Sequence, residues 1–212
     1  VTAALTGSDG TVYSNVDAAL TAGANSVVDT TPFNQADIDA AVQAQIDSTA
    51  SENVNLTTNV GDYVEAGTGD NTIIAVQTGA AATETFSATD TIDGGAGNDT
   101  IIISNSEAAN LNAAVVRNVE NIEYRGLNGG NLDMANFEDA TSLLMERTTG
   151  AVDVDNMATT DTLTLKDGAA TMNSTITYTA AGVTGTADSH SVTIDGSTAG
   201  ADLEFSGAVE TM

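Results

Sequence analysis

Hydrophobic and polar positions divide the chain near residue 52 into two differently patterned parts. In the first part, Ile38, Val42 and Ile46 recur every four residues, which is the spacing of one face of an α-helix. An asparagine suited to N-capping and the only proline of the chain stand just before this pattern. The pattern predicts a helix over about residues 34–47, whose simplest role is to pack against or cap the rest.

After residue 52 the chain consists of short β-like runs separated by Gly, Asp and Asn. Apolar and polar positions alternate in many runs, as at Leu163 and Leu165, which indicates strands with one buried face. The run Ile101-Ile102-Ile103 has no polar position, and we expect it to be buried on both sides. The predicted strands are 71–76, 99–104, 121–125, 141–147, 151–156, 161–166, 174–180, 190–195 and 201–207.

The spacing of these runs predicts a repetitive β architecture. From about residue 141 the strand centres lie roughly 10 to 15 residues apart, which is typical of a β-solenoid or a sandwich of short strands. We therefore expect a mainly β fold, β-roll-like or sandwich, with a partly helical segment 1–52 and a β domain 53–212. The final residues, "GAVETM", echo the earlier "NVENIEY", which favours a fragment of a longer array.

The charge balance is strongly acidic, with 30 acidic and 4 basic residues and a formal net charge of -26. Arg117, Arg125, Arg147 and Lys166 are too few to form a phosphate-binding patch, so nucleic-acid binding is excluded. Adsorption to anionic lipid through protein charge is excluded for the same reason. Carboxylates at this density repel one another unless counter-ions are recruited, either metal cations or ordinary salt and water.

The remaining composition limits how the fold can be stabilised. Cysteine is absent, which excludes disulfides and thiolate metal sites, and calcium is a common substitute in secreted proteins. Hydrophobic residues make up 41% of the chain and tryptophan is absent, so we expect an aliphatic core. No apolar run approaches the ~18 residues of a membrane span.

One short motif, Gly94–Ile102, carries the strongest chemical signal. Its sequence "GGAGNDTII" fits the calcium-binding nonapeptide GGxGxDxUx at every fixed position. Glycines allow turns that aim backbone carbonyls inward, and Asp99 adds a charged oxygen to the roughly 6 to 8 that calcium prefers. The alternative is that Asp99 only closes an Asx-turn. The expected calcium-site residues are Gly94, Gly95, Gly97, Asn98 and Asp99, with Asp90 and Asp93 adding local charge.

A weaker copy of the motif, "EAGTGDNTII" over residues 65–74, precedes it. An alanine replaces the first glycine of the pair, and Asp70 stands one position earlier than the aspartate of the nonapeptide. In a stacked roll each nonapeptide supplies half a cage, so the best geometry would come from two half-sites meeting. The expected contributors from this copy are Gly67, Gly69 and Asp70, with Asp62 close in sequence.

Other candidate sites have simpler interpretations. Asp153 and Asp155 alternate along a predicted strand, where they could bind a cation or simply form a solvated face. His190 is the only histidine, and the chain contains no GxSxG elbow, HExxH motif or Walker loop, so we do not expect an enzyme.

The order of the blocks resembles the calcium-binding RTX-type surface-layer proteins of Gram-negative bacteria. The blocks are "LTTNVGDYVEAGTGDNTI", "TDTIDGGAGNDTIII" and "VRNVENIEYRG", followed by "LDMANFEDATSLLM". The resemblance covers about residues 55 to 150 well and the remainder loosely, and RTX adhesins and biofilm-matrix proteins share the same blocks.

The resemblance implies type I secretion, calcium-dependent folding outside the cell, and self-assembly of copies of the chain into a sheet or filament. It implies an extracellular location on the cell surface, with cell-surface polysaccharide as a further partner. The alternative within the same resemblance is an adhesin module that binds a glycan or another surface.

Overall fold

The structure is a computed structural model that describes residues 50–169, 172–181, 183–184, 187–200 and 202–207, and the strand backbone of Leu5–Thr6 and Val12–Tyr13. The chain divides into two units, Val1–Asp47 and Ser48–Met212. In the first unit, β1 (Leu5–Thr6) and β2 (Val12–Tyr13) pair antiparallel. The helix predicted over residues 34–47 lies outside the described residues.

The second unit is built from parallel β-sheets. The large, seven-stranded sheet contains β3 (Asn53–Asn55), β5 (Thr72–Gln77), β7 (Thr100–Asn105), β9 (Asn121–Gly126), β11 (Ser142–Glu146), β13 (Thr162–Lys166) and β15 (Ser191–Asp195). A three-stranded sheet contains β4 (Tyr63–Glu65), β6 (Thr91–Asp93) and β8 (Val115–Arg117). A four-stranded sheet contains β10 (Gly130–Asp133), β12 (Val152–Met157), β14 (Asn173–Tyr178) and β16 (Asp202–Ser206).

The path of the chain alternates between the large sheet and one of the small sheets. Every odd-numbered strand from β3 to β15 enters the large sheet, and every even-numbered strand from β4 to β16 enters a small one. A short 3-10 helix, Met134–Asn136, follows β10, and an isolated parallel bridge joins Val116 to Phe137. We call one large-sheet strand and the next small-sheet strand a repeat. Consecutive repeats are therefore hydrogen-bonded neighbours.

The core lies on the inward faces of these sheets because side chains alternate between the two faces of a strand. In the large sheet, two in-register rows are buried: Ile73, Ile101, Ile122, Leu143 and Leu163, and then Ala75, Ile103, Tyr124, Met145 and Leu165. The small sheets contribute Ile92, Val116, Leu132, Val154 and Ile176. The core of the large sheet is thus stacked as rows of mainly aliphatic side chains, with Tyr124 in the second row.

The predicted strands are confirmed, with one correction concerning burial. All nine are present as β5, β7, β9 and β11 to β16, with bounds within two residues of those predicted. Ile101 and Ile103 are fully buried, but the prediction was wrong for Ile102, which is partly exposed on the opposite face. Ile102 is partly exposed because successive side chains of β7 point to opposite faces of the sheet. On the outer face it lies in register between Ile74 and Glu123.

The outer face of the large sheet carries ion pairs that use the scarce basic side chains. Glu146 contacts Lys166 at 3.0 Å and Arg125 at 3.1 Å. Elsewhere on the surface, Arg117 lies 3.0 Å from Glu138. Because these cations already face carboxylates, they leave the large acidic surplus of the chain unbalanced.

Candidate metal site

The two glycine-rich segments form turns at the same end of neighbouring repeats. The turn over residues 66–71 joins β4 to β5, and the turn over residues 94–99 joins β6 to β7. Glu65 pairs with Asp93 before the turns, and Thr72 pairs with Thr100 after them, so the turns are stacked in register. The structure therefore brings the two motif copies together as stacked neighbours. We call them the first and second turns.

Two glycines of the second turn, Gly95 and Gly97, are required because carbonyls of the first turn approach them closely. A Cβ atom on Gly95 would lie 2.2 Å from the carbonyl oxygen of Gly67, and one on Gly97 would lie 2.6 Å from that of Gly69. Gly95 and Gly97 also have positive φ, 88° and 134°. The carbonyl groups of the first turn thus point toward the second, as expected for a site between two half-cages.

The buried side chain of the first turn is Asn71, a residue that the sequence prediction had not selected. Asn71 and Asp99 directly precede the paired residues Thr72 and Thr100, so Asn71 is the positional equivalent of Asp99. Asp70 instead corresponds to Asn98 and is exposed, and its Oδ1 atom accepts a hydrogen bond from the Asn98 amide at 2.8 Å. The structure therefore places Asp70 outside the buried interior of the turn.

The Asn71 side chain ties the two turns together. Its Nδ2 atom donates to the carbonyl oxygens of Gly69 at 2.7 Å, Gly94 at 3.0 Å and Gly67 at 3.3 Å. Its Oδ1 atom accepts a hydrogen bond from the Glu52 amide at 3.0 Å. The carbonyls that converge between the first and second turns are thus already satisfied by an amide.

The environment of the Asp99 side chain differs from that of Asn71. The side chain is fully buried, and its Oδ1 atom accepts a hydrogen bond from the Asn71 amide at 2.6 Å. Its Oδ2 atom is buried and accepts no hydrogen bond within the described part of the chain. A Cβ on Gly94 would lie 2.8 Å from this Oδ2 and 2.0 Å from the carbonyl oxygen of Asn118. The Gly94 backbone therefore lies close to both Asp99 Oδ2 and the Asn118 carbonyl oxygen.

The pKa of the Asp99 carboxyl reflects this burial. Desolvation raises the pKa of the Asp99 carboxyl above its ordinary value of 3.8. Hydrogen bonds from Asn71 oppose the rise in pKa, whereas the nearby negative charges of Glu120 and Asp70 add to it. A buried carboxylate without a full set of donors is costly, so the position favours either a proton or a cation.

Glu120 is the third member of this row, and sequence reasoning missed it. It directly precedes β9, as Asp99 precedes β7, and its Oε2 atom accepts a hydrogen bond from the Asp99 amide at 2.7 Å. Asn71, Asp99 and Glu120 therefore form a row in which each later side chain accepts from the backbone of the residue before it. The available signal was the "NVEN" run, whose acid stands immediately before a strand, as in the nonapeptide.

Two aspartates assigned to the site lie elsewhere. Asp62 and Asp90 precede β4 and β6, whereas the glycine turns follow these strands. The buried Asp90 carboxylate accepts hydrogen bonds from the amides of Asp62 at 2.9 Å and Ser87 at 2.7 Å. Asp62 in turn accepts from the Thr57 amide at 2.6 Å. Both carboxylates close loops at the opposite strand ends, and the structure does not bring them to Asp99.

The remaining polar side chains of the second turn hold it in shape. The Oδ1 atom of Asp93 accepts hydrogen bonds from the Gly95 amide at 3.0 Å and from Asn118 Nδ2 at 2.7 Å. Asn98 is exposed, and its Oδ1 atom accepts from Asn121 Nδ2 at 2.8 Å. These residues position the turn without presenting a free buried oxygen.

Two further sequence candidates have structural roles. Asp153 and Asp155 lie on the outer face of β12, where they accept hydrogen bonds from the Thr175 amide at 2.8 Å and Asn131 Nδ2 at 2.6 Å. His190 is buried, and its Nδ1 atom lies 2.5 Å from the Tyr178 hydroxyl oxygen. Burial lowers the pKa of His190 below its ordinary value of 6.5, so the imidazole is neutral in the fold at neutral pH.

Two oxygens that lie close to Gly94, Asp99 Oδ2 and the Asn118 carbonyl, are of the ligand types that a hard cation prefers. Within the described ranges, no group of three or more His, Cys, Asp or Glu side chains is placed to hold a metal ion. A cation at this point would therefore have Asp99 Oδ2 and the Asn118 carbonyl oxygen as protein ligands. Calcium accepts such mixed sets, whereas zinc prefers histidine and cysteine.

Two wider observations complete the description. The helical part of the described chain contains nothing long and apolar enough to cross a membrane. The chain matches no protein-family model, no curated protein sequence and no solved structure.

Proposed function

We propose that this chain is a calcium-stabilised structural segment of an extracellular bacterial assembly, either a surface layer or a filament. The observation that carries the proposal is the buried Oδ2 atom of Asp99, which lacks a hydrogen-bond donor and lies beside the Asn118 carbonyl at Gly94. A bound calcium ion would supply positive charge at the point where the fold buries a negative one.

The ion would be held by this chain's own oxygens. Asp99 Oδ2 and the Asn118 carbonyl oxygen, which both lie close to the Gly94 backbone, would be ligands. Glu120 adds negative charge nearby while its Oε2 atom holds the Asp99 amide. Glycine at position 94 lets both oxygens approach the backbone, because a Cβ atom there would lie 2.0 Å from the Asn118 carbonyl oxygen and 2.8 Å from Asp99 Oδ2.

The architecture supports a passive structural role. We propose that the alternating path, with in-register parallel pairing along the large sheet, is a β-solenoid whose repeats stack on one another. A stack of this kind presents long regular faces that suit lateral assembly. The net charge of -26 would oppose assembly of copies unless cations screen it, so calcium would favour both folding and self-association.

The test is a melting and light-scattering experiment in calcium, in magnesium and in chelator. At a free calcium concentration 100 times Kd, binding adds about 2.7 kcal/mol, which raises Tm by about 5 to 10 °C in a chain of this size. Asp99→Asn should lose this calcium response while remaining folded in chelator, because the new amide can donate to the Asn118 carbonyl. Asp70→Asn, an exposed neighbour in the stacked turns, is the matched control and should keep the response.

Two results would count against the proposal. If the unaltered chain has the same Tm in calcium and in chelator, the proposed calcium site is refuted. If light scattering and electron microscopy show that the chain stays monomeric at millimolar calcium, the proposed structural role is refuted. If such monomers also bound a glycan array, the adhesin module expected from the same resemblance would be favoured instead.

A further inference from the structure

We infer that the side-chain amide of Asn71 takes the place of a cation between the first and second turns, so that this pair of turns closes without an ion. The inference rests on the proposed function, because it decides which of two stacked positions binds calcium. It assigns the ion requirement to the Asp99 position and the ion-independent closure to the Asn71 position.

The first step is the geometry of the amide. Asn71 is almost fully buried, at 1% exposure, and its Nδ2 atom lies within 3.3 Å of three backbone carbonyl oxygens. Those oxygens belong to both stacked turns, namely Gly67 and Gly69 of the first and Gly94 of the second. A ring of carbonyls around one electropositive centre is the arrangement that a hard cation would otherwise occupy.

The second step is the orientation of the amide. The Oδ1 atom of Asn71 faces the Glu52 amide at 3.0 Å. If the amide were reversed, Oδ1 would face three carbonyl oxygens and Nδ2 would face an N–H group, so every hydrogen bond of the side chain would be lost. The network therefore fixes the nitrogen toward the carbonyls.

The third step is the comparison with Asp99. The register makes Asn71 and Asp99 equivalent positions in consecutive repeats. The amide at position 71 supplies donors to its carbonyls, whereas the carboxylate at position 99 leaves Oδ2 without a donor beside the Asn118 carbonyl. The choice between asparagine and aspartate at this one position of a repeat would thus set whether that repeat needs calcium.

The test exchanges the amide for a carboxylate of the same shape, Asn71→Asp. In chelator, Tm should fall by roughly 5 to 10 °C, as for a buried carboxylate that faces acceptors without a donor. In calcium, Tm should recover, and isothermal titration calorimetry should find one more calcium ion per chain than in the unaltered protein. Asn98→Asp adds the same charge at an exposed position of the second turn and should change neither quantity.

The variants also separate this inference from the proposed function. If the unaltered chain ignores calcium but Asn71→Asp gains one ion, the role assigned to Asn71 holds, while the Asp99 site and the proposed function fail. If the unaltered chain responds to calcium but Asn71→Asp keeps its stoichiometry, the inference falls alone. Asn71→Leu removes the donors without adding charge, so it should be destabilised equally in both buffers. An Asn71→Asp chain that does not refold when calcium is present overturns the inference, because a bound cation should restore the stability of the fold.

Discussion

Gly94→Ala tests whether the close approach at the second turn sets both stability and cation binding. An alanine Cβ would lie 2.0 Å from the Asn118 carbonyl oxygen, whereas real Cβ atoms essentially never come within 3.0 Å of such an atom. The two groups must therefore separate by about 1 Å, the difference between those distances. Gly94 also donates its amide to the Arg117 carbonyl at 3.0 Å, and that shift would break this bond between β6 and β8.

The magnitude follows from these two losses. Forcing an extra carbon into a packed site costs about 1 to 3 kcal/mol, and a lost backbone hydrogen bond costs about 0.5 to 1.5 kcal/mol. We expect Gly94→Ala to lose about 1.5 to 4.5 kcal/mol of unfolding free energy, which lowers Tm by about 3 to 18 °C. The added methyl group would also displace the two proposed ligands, Asp99 Oδ2 and the Asn118 carbonyl oxygen, so the stabilising response to calcium should disappear.

Urea denaturation followed by circular dichroism, in calcium and in chelator, measures both effects. Gly168→Ala is the matched control, because its Cβ would meet only side-chain atoms of Leu165 and Ser197, at 3.1 Å or more. Neither glycine requires a positive φ, so backbone strain does not separate the two variants. The control should stay within about 1 kcal/mol of the unaltered chain. A Gly94→Ala chain as stable as the control, with its calcium response intact, would refute the reasoning.

Three further predictions concern the core and the titrating groups. Ile101→Ala should cost about 2 to 5 kcal/mol by urea denaturation, and Ile102→Ala on the partly exposed face clearly less. A hydrogen bond from Lys166 lowers the pKa of Glu146 from 4.5 to about 2, so its stabilisation is present above pH 4.5 and lost between pH 4.5 and about 2. Glu146→Gln should flatten the stability profile in that window. Burial lowers the pKa of His190, so unfolded chains take up protons first below pH 6.5, and His190→Gln should reduce the resulting loss of stability.

Each of these predictions has a contrary outcome. Equal losses for the two isoleucine variants would mean that the two faces of β7 are not distinguished. An unchanged acid profile in Glu146→Gln would mean that the outer ion pairs are screened by solvent. A His190→Gln chain with the original slope between pH 6.5 and 5 would show that its imidazole titrates alike when folded and unfolded.

The short strands show where sequence reasoning stopped. The longer strands were predictable because five or six residues display the alternation that buries one face, as in β13 and β14. The strands β3, β4, β6, β8 and β10 were missed, since each has only three or four residues. A run that short carries no periodic signal of its own and forms because a neighbouring strand offers a ladder of partners.

The candidate site shows the same division. The glycines and Asp99 were predictable because the nonapeptide requires specific residues at fixed local spacing. The equivalence of Asn71 and Asp99 could not be predicted, because comparing the motifs aligns the acid Asp70 with the acid Asp99. The strand register instead pairs Thr72 with Thr100, which makes Asn71 the equivalent of Asp99. Glu120 was missed for a related reason, since it follows a shorter turn that lacks the glycines of the motif.

The sequence by itself determined the mainly β character, the acidic surplus and the place of the glycine turns, because each depends on residue type and local spacing. Only the tertiary structure decided which polar side chains share a site, because register between repeats depends on how parallel strands align across turns of different length. That alignment brought Asn71, Asp99 and Glu120 into one row and left Asp62 and Asp90 at the opposite strand ends. It also left one carboxylate oxygen of Asp99 buried without a donor, a property that no local pattern reveals.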